Sequence, residues 1–185
     1  MNGNIIPEKV FFTNGSGRAK MKLEAFEFAL RNAGIEKFNL VKVSSIIPPN
    51  CKIISKSEGL KALKPGGITF LVMARAESDE KGTRVTSSVG LAVPKDRSNY
   101  GYFSEHEEFG SSSIKVGERA EELAASMLAS TLGIKFNTKY DWKEKKKVIK
   151  MSNKIIRTEN ITESVVVKKQ GEWTCAVAAA VFILS

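Results

Sequence analysis

An α+β fold is predicted for this chain, with two long helices lying over a largely antiparallel system of strands. Three observations carry that expectation. Helical apolar spacing is confined to two long stretches, and seven or so strand-like runs surround them. Many of those runs are joined by short polar or glycine-containing links. Helices also fall too rarely between strands for a doubly wound parallel sheet.

The elements follow in order. Val10-Phe11-Phe12 reads as a short strand, and Thr13 to Gly17 as a glycine-rich turn. That turn is not a phosphate loop, because Gly17 is followed by Arg18-Ala19 rather than by Lys and a hydroxyl residue. From Lys20 to Ala33 the pattern turns helical: Leu23, Phe26, Leu30 and Ala33 recur at three- and four-residue spacing, and Gly34 supplies the stop. Lys37–Val43 reads as a strand that halts at Ser44-Ser45, because Pro48-Pro49 forbid its continuation.

Cys51–Ile54 is a short strand candidate and Ser57–Leu63 a short helix or turn. Pro65-Gly66-Gly67 breaks the chain before Ile68–Arg75, an apolar strand expected to be buried on both faces. Arg84–Val93 alternates Val85, Val89, Leu91 and Val93 with small polar residues, which predicts one inward face. Tyr100–Glu107 is another strand. A helix over Val116–Leu132 carries its stripe on Val116, Ala120, Leu123, Met127 and Leu128, and Gly133 closes it. Ile161–Lys169 and Trp173–Leu184 are two last strands around a Gln170-Gly171 turn.

The 185 residues suffice for one substantial core, with ordinary hydrophobic (42%) and charged (26%) content. No run of about 18 apolar residues suggests a membrane span, and the first residues lack the make-up of a signal peptide. A cytoplasmic location is expected. Cys51 and Cys175 match no metal spacing and read as reduced, partly buried thiols. The net charge of +9 gathers largely between Lys139 and Lys154, with Lys143 and Lys145-Lys146-Lys147 at its heart. Such a run reads as a solvated helix or loop; a nucleic-acid partner is the alternative, without interleaved aromatics beyond Tyr140 and Trp142.

Chemistry concentrates at Ser44-Ser45. The Ser45 hydroxyl is covalently tethered beside the Ser44 carbonyl, and attack on it gives an ester through a five-membered ring. β-Elimination leaves dehydroalanine at position 45, and hydrolysis yields a pyruvoyl group. A donor must meet the Ser44 carbonyl oxygen as charge develops there, and Asn39, on the same strand, is the candidate. Ser-Ser pairs are common, however, and the dipeptide alone reads as a turn or cap far sooner than as a cleavage site.

The surrounding residues resemble a known family. Asn39–Pro49 (NLVKVSSIIPP) is similar to the cleavage segment of the pyruvoyl-dependent arginine decarboxylases. The likeness continues in Leu23–Leu30 with Asn32–Ile35, in Val89–Ser98, in Gly101–Glu107 and in Cys175–Ala180, in the family's order. The resemblance implies a four-layer αββα sandwich, a single domain over residues 1–185, and self-cleavage into residues 1–44 and 45–185. It implies trimers with interfacial active sites, a covalent pyruvoyl group from Ser45, and neither metal nor pyridoxal phosphate. The substrate amine then forms an imine with the pyruvoyl ketone, which accepts the electrons freed as carbon dioxide leaves.

Glu105 matches the family's catalytic acid, which must hold a proton near neutral pH. On a strand Glu105 and Glu107 share one face and His106 takes the other, leaving His106 a surface residue. Glu27 falls where members commonly carry an Asp that pairs with the substrate guanidinium. The implied reaction is L-arginine to agmatine and CO2. The alternatives are the same chemistry on histidine or lysine, or a basic nucleic-acid-binding protein that never processes.

Overall fold

The computed structural model describes residues 5–137 and 139–184. Among them the chain runs β1 (Lys9–Ala19), α1 (Lys22–Ala33), β2 (Asn39–Lys42), β3 (Ile46–Ile47), β4 (Lys52–Ile53) and α2 (Lys56–Ala62). It continues with β5 (Ile68–Ser78), β6 (Arg84–Pro94), β7 (Gly101–Phe109), α3 (Ser113–Thr131), α4 (Trp142–Ser152), β8 (Ile155–Val166) and β9 (Trp173–Ile183). The first sheet is ordered β2-β5-β9-β1-β4 and the second β3-β7-β6-β8. Pairing is antiparallel except for β1 with β4 and β2 with β5.

The two sheets face each other. Val72, Ala74, Ala178, Ala180 and Phe182 of the first interlock with Val89, Leu91, Val93 and Phe103 of the second. α1 covers the outer face of the first sheet at β1 and β9, and α3 covers the second at β6, β7 and β8. These are the α+β class and the αββα layering expected from the sequence.

Thr13 to Gly17 is not a turn. β1 runs straight through it, paired residue for residue with β9 from Lys9↔Ile183 to Ala19↔Trp173. Its glycines serve close approach: a Cβ on Gly15 would stand 2.5 Å from the Ala29 carbonyl oxygen, and one on Gly17 would overlap that of Ala25. Small residues on both partners let the α1 backbone rest directly on the strand. The alanines of β9 have the same cause, because they lie between α1 and the second sheet.

β6 is buried on both faces, not on one as its alternation predicts. Val85, Val89, Leu91 and Val93 face the first sheet, while the hydroxyls on the other face are covered by α3 and β8 and hydrogen-bonded there. Thr86 meets Ser164 at 2.8 Å, and Ser88 meets Thr162 at 2.8 Å. Satisfied hydroxyls tolerate burial, so the period-2 pattern here separates two interiors rather than inside from outside. β8 also begins earlier than expected, at Ile155, and lies beside β6 from there.

The basic segment forms α4, whose Trp142 and Ile149 are buried against Ala125, Leu128 and Ile155. Burial of two such side chains contributes about 1.5–3 kcal/mol each. A capping box between Asp141 and Glu144 starts the helix. Lys145 pairs with Glu122 at 2.5 Å and Lys146 with Glu121 at 3.3 Å. Part of the local charge excess therefore answers carboxylates on α3. No described helix is long and apolar enough to cross a membrane.

Candidate active site

Ser44 and Ser45 lie where the chain changes sheets. β2 is a four-residue strand at the edge of the first sheet, and Val43 N–H still donates to Leu71 O at 3.0 Å just beyond it. Three residues later Ile46 and Ile47 stand opposite Tyr102 and Gly101 of β7, at the edge of the second. Pro48 and Pro49 then stop β3 after two residues, because proline has no N–H to extend a ladder. Ser44 is exposed and Ser45 half-buried, so the bond between them is held at both ends yet open to solvent.

Hydrogen bonds fix that crossing. Phe103 N–H donates to Ser45 O at 2.8 Å, and Ile46 N–H donates to Ser44 O at 2.9 Å. The Ser45 hydroxyl donates to Glu105 Oε2 at 3.4 Å. Lys42 Nζ lies 3.1 Å from Glu105 Oε1, so the carboxylate is held between a hydroxyl and an ammonium. Glu107, on the same face of β7, accepts the Arg75 backbone N–H at 2.8 Å. That N–H faces the side of β5 where β2 has already ended, and the bond ties β7 to the first sheet beside the site.

His106 points the other way, toward Glu108 at 3.3 Å. Glu108 also accepts from Ser111 and Arg119. The Ser111 hydroxyl first, and then the Arg119 guanidinium, hold its carboxyl down at about 2. Beside Ser44 opens a pocket of about 610 Å³, lined by Val43, Ile46, Phe70, Tyr102 and Phe182 among others, with no charged side chain in its described wall.

Two expected site residues are held elsewhere. Asn39 does not reach the Ser44 carbonyl: its Nδ2 donates to Gly66 O at 2.6 Å, at the opposite end of the short β2. The donor that does meet Ser44 O is the Ile46 amide. Glu27 lies on α1, paired with Arg31 at 3.0 Å in a separate depression with Leu23, Phe26 and Phe28. It shares no wall with the pocket beside Ser44. Lys42 and the Ile46 amide went unremarked in the sequence. Lys42 had a signal, lying two residues before Ser44 on an extended segment. The amide had none, since its direction depends on backbone torsion.

The profile of the pyruvoyl-dependent arginine decarboxylase family matches residues 9–185. The chain belongs to that family. It is 52% identical over 178 residues to a probable pyruvoyl-dependent arginine decarboxylase of Chloroherpeton thalassium, covering 96% of this chain and 98% of that protein. A protein of the same description from Chlorobaculum tepidum is 53% identical over 180 residues, covering 97% and 99%. Pyruvoyl-dependent arginine decarboxylase 2 of Methanosarcina acetivorans is 50% identical over 181 residues, covering 98% and 99%.

The family's covalent pyruvoyl group fits the residues present. It requires a serine whose hydroxyl adjoins a carbonyl at a held, accessible peptide bond, and an acid–base side chain within reach of it. Ser45 and Glu105 stand in those positions. Buried free thiols complete the chemistry-bearing side chains: burial pushes Cys51 up to about 11 and Cys175 up to about 12, which keeps both unreactive.

Proposed function

We propose that the Ser44–Ser45 bond breaks in this chain's own maturation and that Ser45 becomes the pyruvoyl group, leaving chains 1–44 and 45–185 of one processed domain. The reaction follows from family membership: L-arginine is decarboxylated to agmatine and CO2. The observation carrying the site assignment is the approach of the Ser45 hydroxyl to Glu105 Oε2 at 3.4 Å. The group supplies an electron sink for the pair released when the bond from Cα to the carboxylate breaks.

The chain's own residues then divide the work. Glu105 carries the proton delivered to Cα, on a carboxyl oriented by β7 and by Lys42. The apolar pocket walled by Phe70, Tyr102 and Phe182 opens on the Ser44 side of the scissile bond. Nothing charged in that wall meets a guanidinium, and burying an unpaired cation costs several kcal/mol in order of magnitude. Glu27 supplies the missing carboxylate from a neighbouring copy, in the trimer with interfacial sites that the family resemblance implies. Exposed Leu23 and Phe28 flanking Glu27 support an interface there. Two free thiols support work in the reducing cytoplasm.

Intact mass and denaturing electrophoresis test the reading. Two fragments split after Ser44 are expected, the larger beginning with a borohydride-reducible carbonyl. A single unmodified chain in fresh and aged preparations overturns it. Carbon dioxide release compared across arginine, histidine, lysine and ornithine tests the substrate.

A further inference from the structure

The oxygen that must accept charge during self-cleavage already has a donor. Ile46 N–H meets Ser44 O at 2.9 Å, two residues on from its acceptor, which closes a γ-turn centred on Ser45. Ser45 is not among the residues with positive φ, so this is the inverse form, the common and unstrained one. The turn is clamped outside by Val43 N–H on Leu71 O and Phe103 N–H on Ser45 O. Among the described residues no other donor reaches Ser44 O: the Asn39 amide is committed to Gly66 O, and the Lys42 ammonium to Glu105.

We propose that the Ile46 backbone N–H is the oxyanion donor of the self-cleavage. The inference rests on Ser44–Ser45 being the bond that breaks. In the step it serves, Ser45 Oγ forms a bond to the Ser44 carbonyl carbon and the carbonyl π pair moves onto oxygen. The C–N bond then breaks, its pair goes to the Ser45 nitrogen, and the hydroxyl proton ends there. Amide becomes ester with nothing added or lost. A hydrogen bond to the charged oxygen is roughly twice as strong as one to the neutral carbonyl. The donor is in place beforehand, so it lowers the barrier without reorganisation.

The donor is main chain, so side-chain substitution at Ile46 leaves it intact.

The test replaces Ile46 by its α-hydroxy acid isostere during translation, which exchanges N–H for an ester oxygen. Cleavage after Ser44 is followed by intact mass, which separates the 1–44 fragment from a 1–45 fragment produced by hydrolysis of the introduced ester. The expected result is a rate about 10²–10³-fold below wild type, with only a small fall in melting temperature, since the ester also makes Ser45 O a weaker acceptor for Phe103 N–H. Ile46→Val, which retains the N–H, is expected to cleave near the wild-type rate. Ile46→Pro removes the same N–H by ordinary mutagenesis, and hydroxylamine, which splits a Ser44 ester, should release little 1–44 from it. Wild-type cleavage in the ester chain, or rapid hydroxylamine release from Ile46→Pro, overturns the proposal while leaving the scissile bond assigned. A wild-type chain that never splits there removes both.

Discussion

Ser45 Oγ and Glu105 Oε2 meet at 3.4 Å although 60 residues separate them. Register brings them together: Phe103 N–H on Ser45 O sets β7 against the crossing, and Glu105, two residues beyond Phe103, shares its face. Ser45→Ala removes the nucleophile and leaves these main-chain bonds in place. The variant is expected to stay as one chain of 185 residues, read by intact mass. Two fragments at the wild-type rate would mean that another bond, or another nucleophile, is used.

Glu105→Gln keeps the length and one acceptor oxygen but cannot deliver a carboxylic proton. Cleavage is expected to proceed: the amide-to-ester shift returns the hydroxyl proton to the Ser45 nitrogen, and the β-elimination that parts the chains passes the Ser45 Cα proton to water. Turnover on arginine is expected to fall about 10²–10⁴-fold, the usual contribution of a positioned acid. Single-turnover CO2 release against product release separates loss of protonation from loss of bond breaking. Wild-type turnover would take Glu105 out of the reaction.

An interfacial site makes two defective variants complementary. Glu27→Gln and Glu105→Gln, each tested alone at low arginine, are expected to be nearly inactive. When the two are co-expressed and mix, about a quarter of the proposed interfacial sites are expected to draw both intact carboxylates from different subunits. Activity recovered well above the sum of the two parents supports Glu27 reaching the neighbour's Ser45. No recovery despite proven mixing would confine each site to one subunit and leave the guanidinium without its proposed partner.

Much of this architecture was legible in the sequence where one rule decides the outcome. The stop of β3 after two residues follows from Pro48 and Pro49, although β2 ends before Ser44 without them, and the α1 stop follows from Gly34, which adopts φ +80. Gly15 and Gly17 were misread because glycine serves both a turn and a close helix approach, and only the packed α1 distinguishes them. Asn39 was assigned to Ser44 by nearness in sequence, whereas β2 is extended and sets the two residues far along it. The grip of Lys42 on Glu105 required knowing that the end of β2 lies beside the middle of β7.

That misreading yields a stability test. Gly15→Ala adds one methyl group facing the Ala29 carbonyl, with φ in the ordinary range, so crowding alone decides the outcome. The helix must shift off β1 and loosen the cluster of Phe11, Ala25, Ala29 and Val177. A loss of about 1–3 kcal/mol is expected from chemical denaturation, typical of an overpacked interior. A real turn at Thr13–Gly17 would tolerate the same change, so an unaltered midpoint would contradict the close contact.

Acid sensitivity should trace in part to Glu108. Its carboxyl is held at about 2 against an ordinary 4.5, chiefly by the Ser111 hydroxyl and then by Arg119, with His106 adding to them. A carboxyl lowered on folding stabilises the native state where the unfolded chain is also ionised, above about pH 4.5. The contribution shrinks as pH falls from there and is gone near 2. Melting temperatures of wild type and Glu108→Gln should therefore differ by a constant amount above pH 5 and converge between pH 4.5 and 2. Parallel curves across the window would show that the Ser111 and Arg119 bonds do not favour the ionised form.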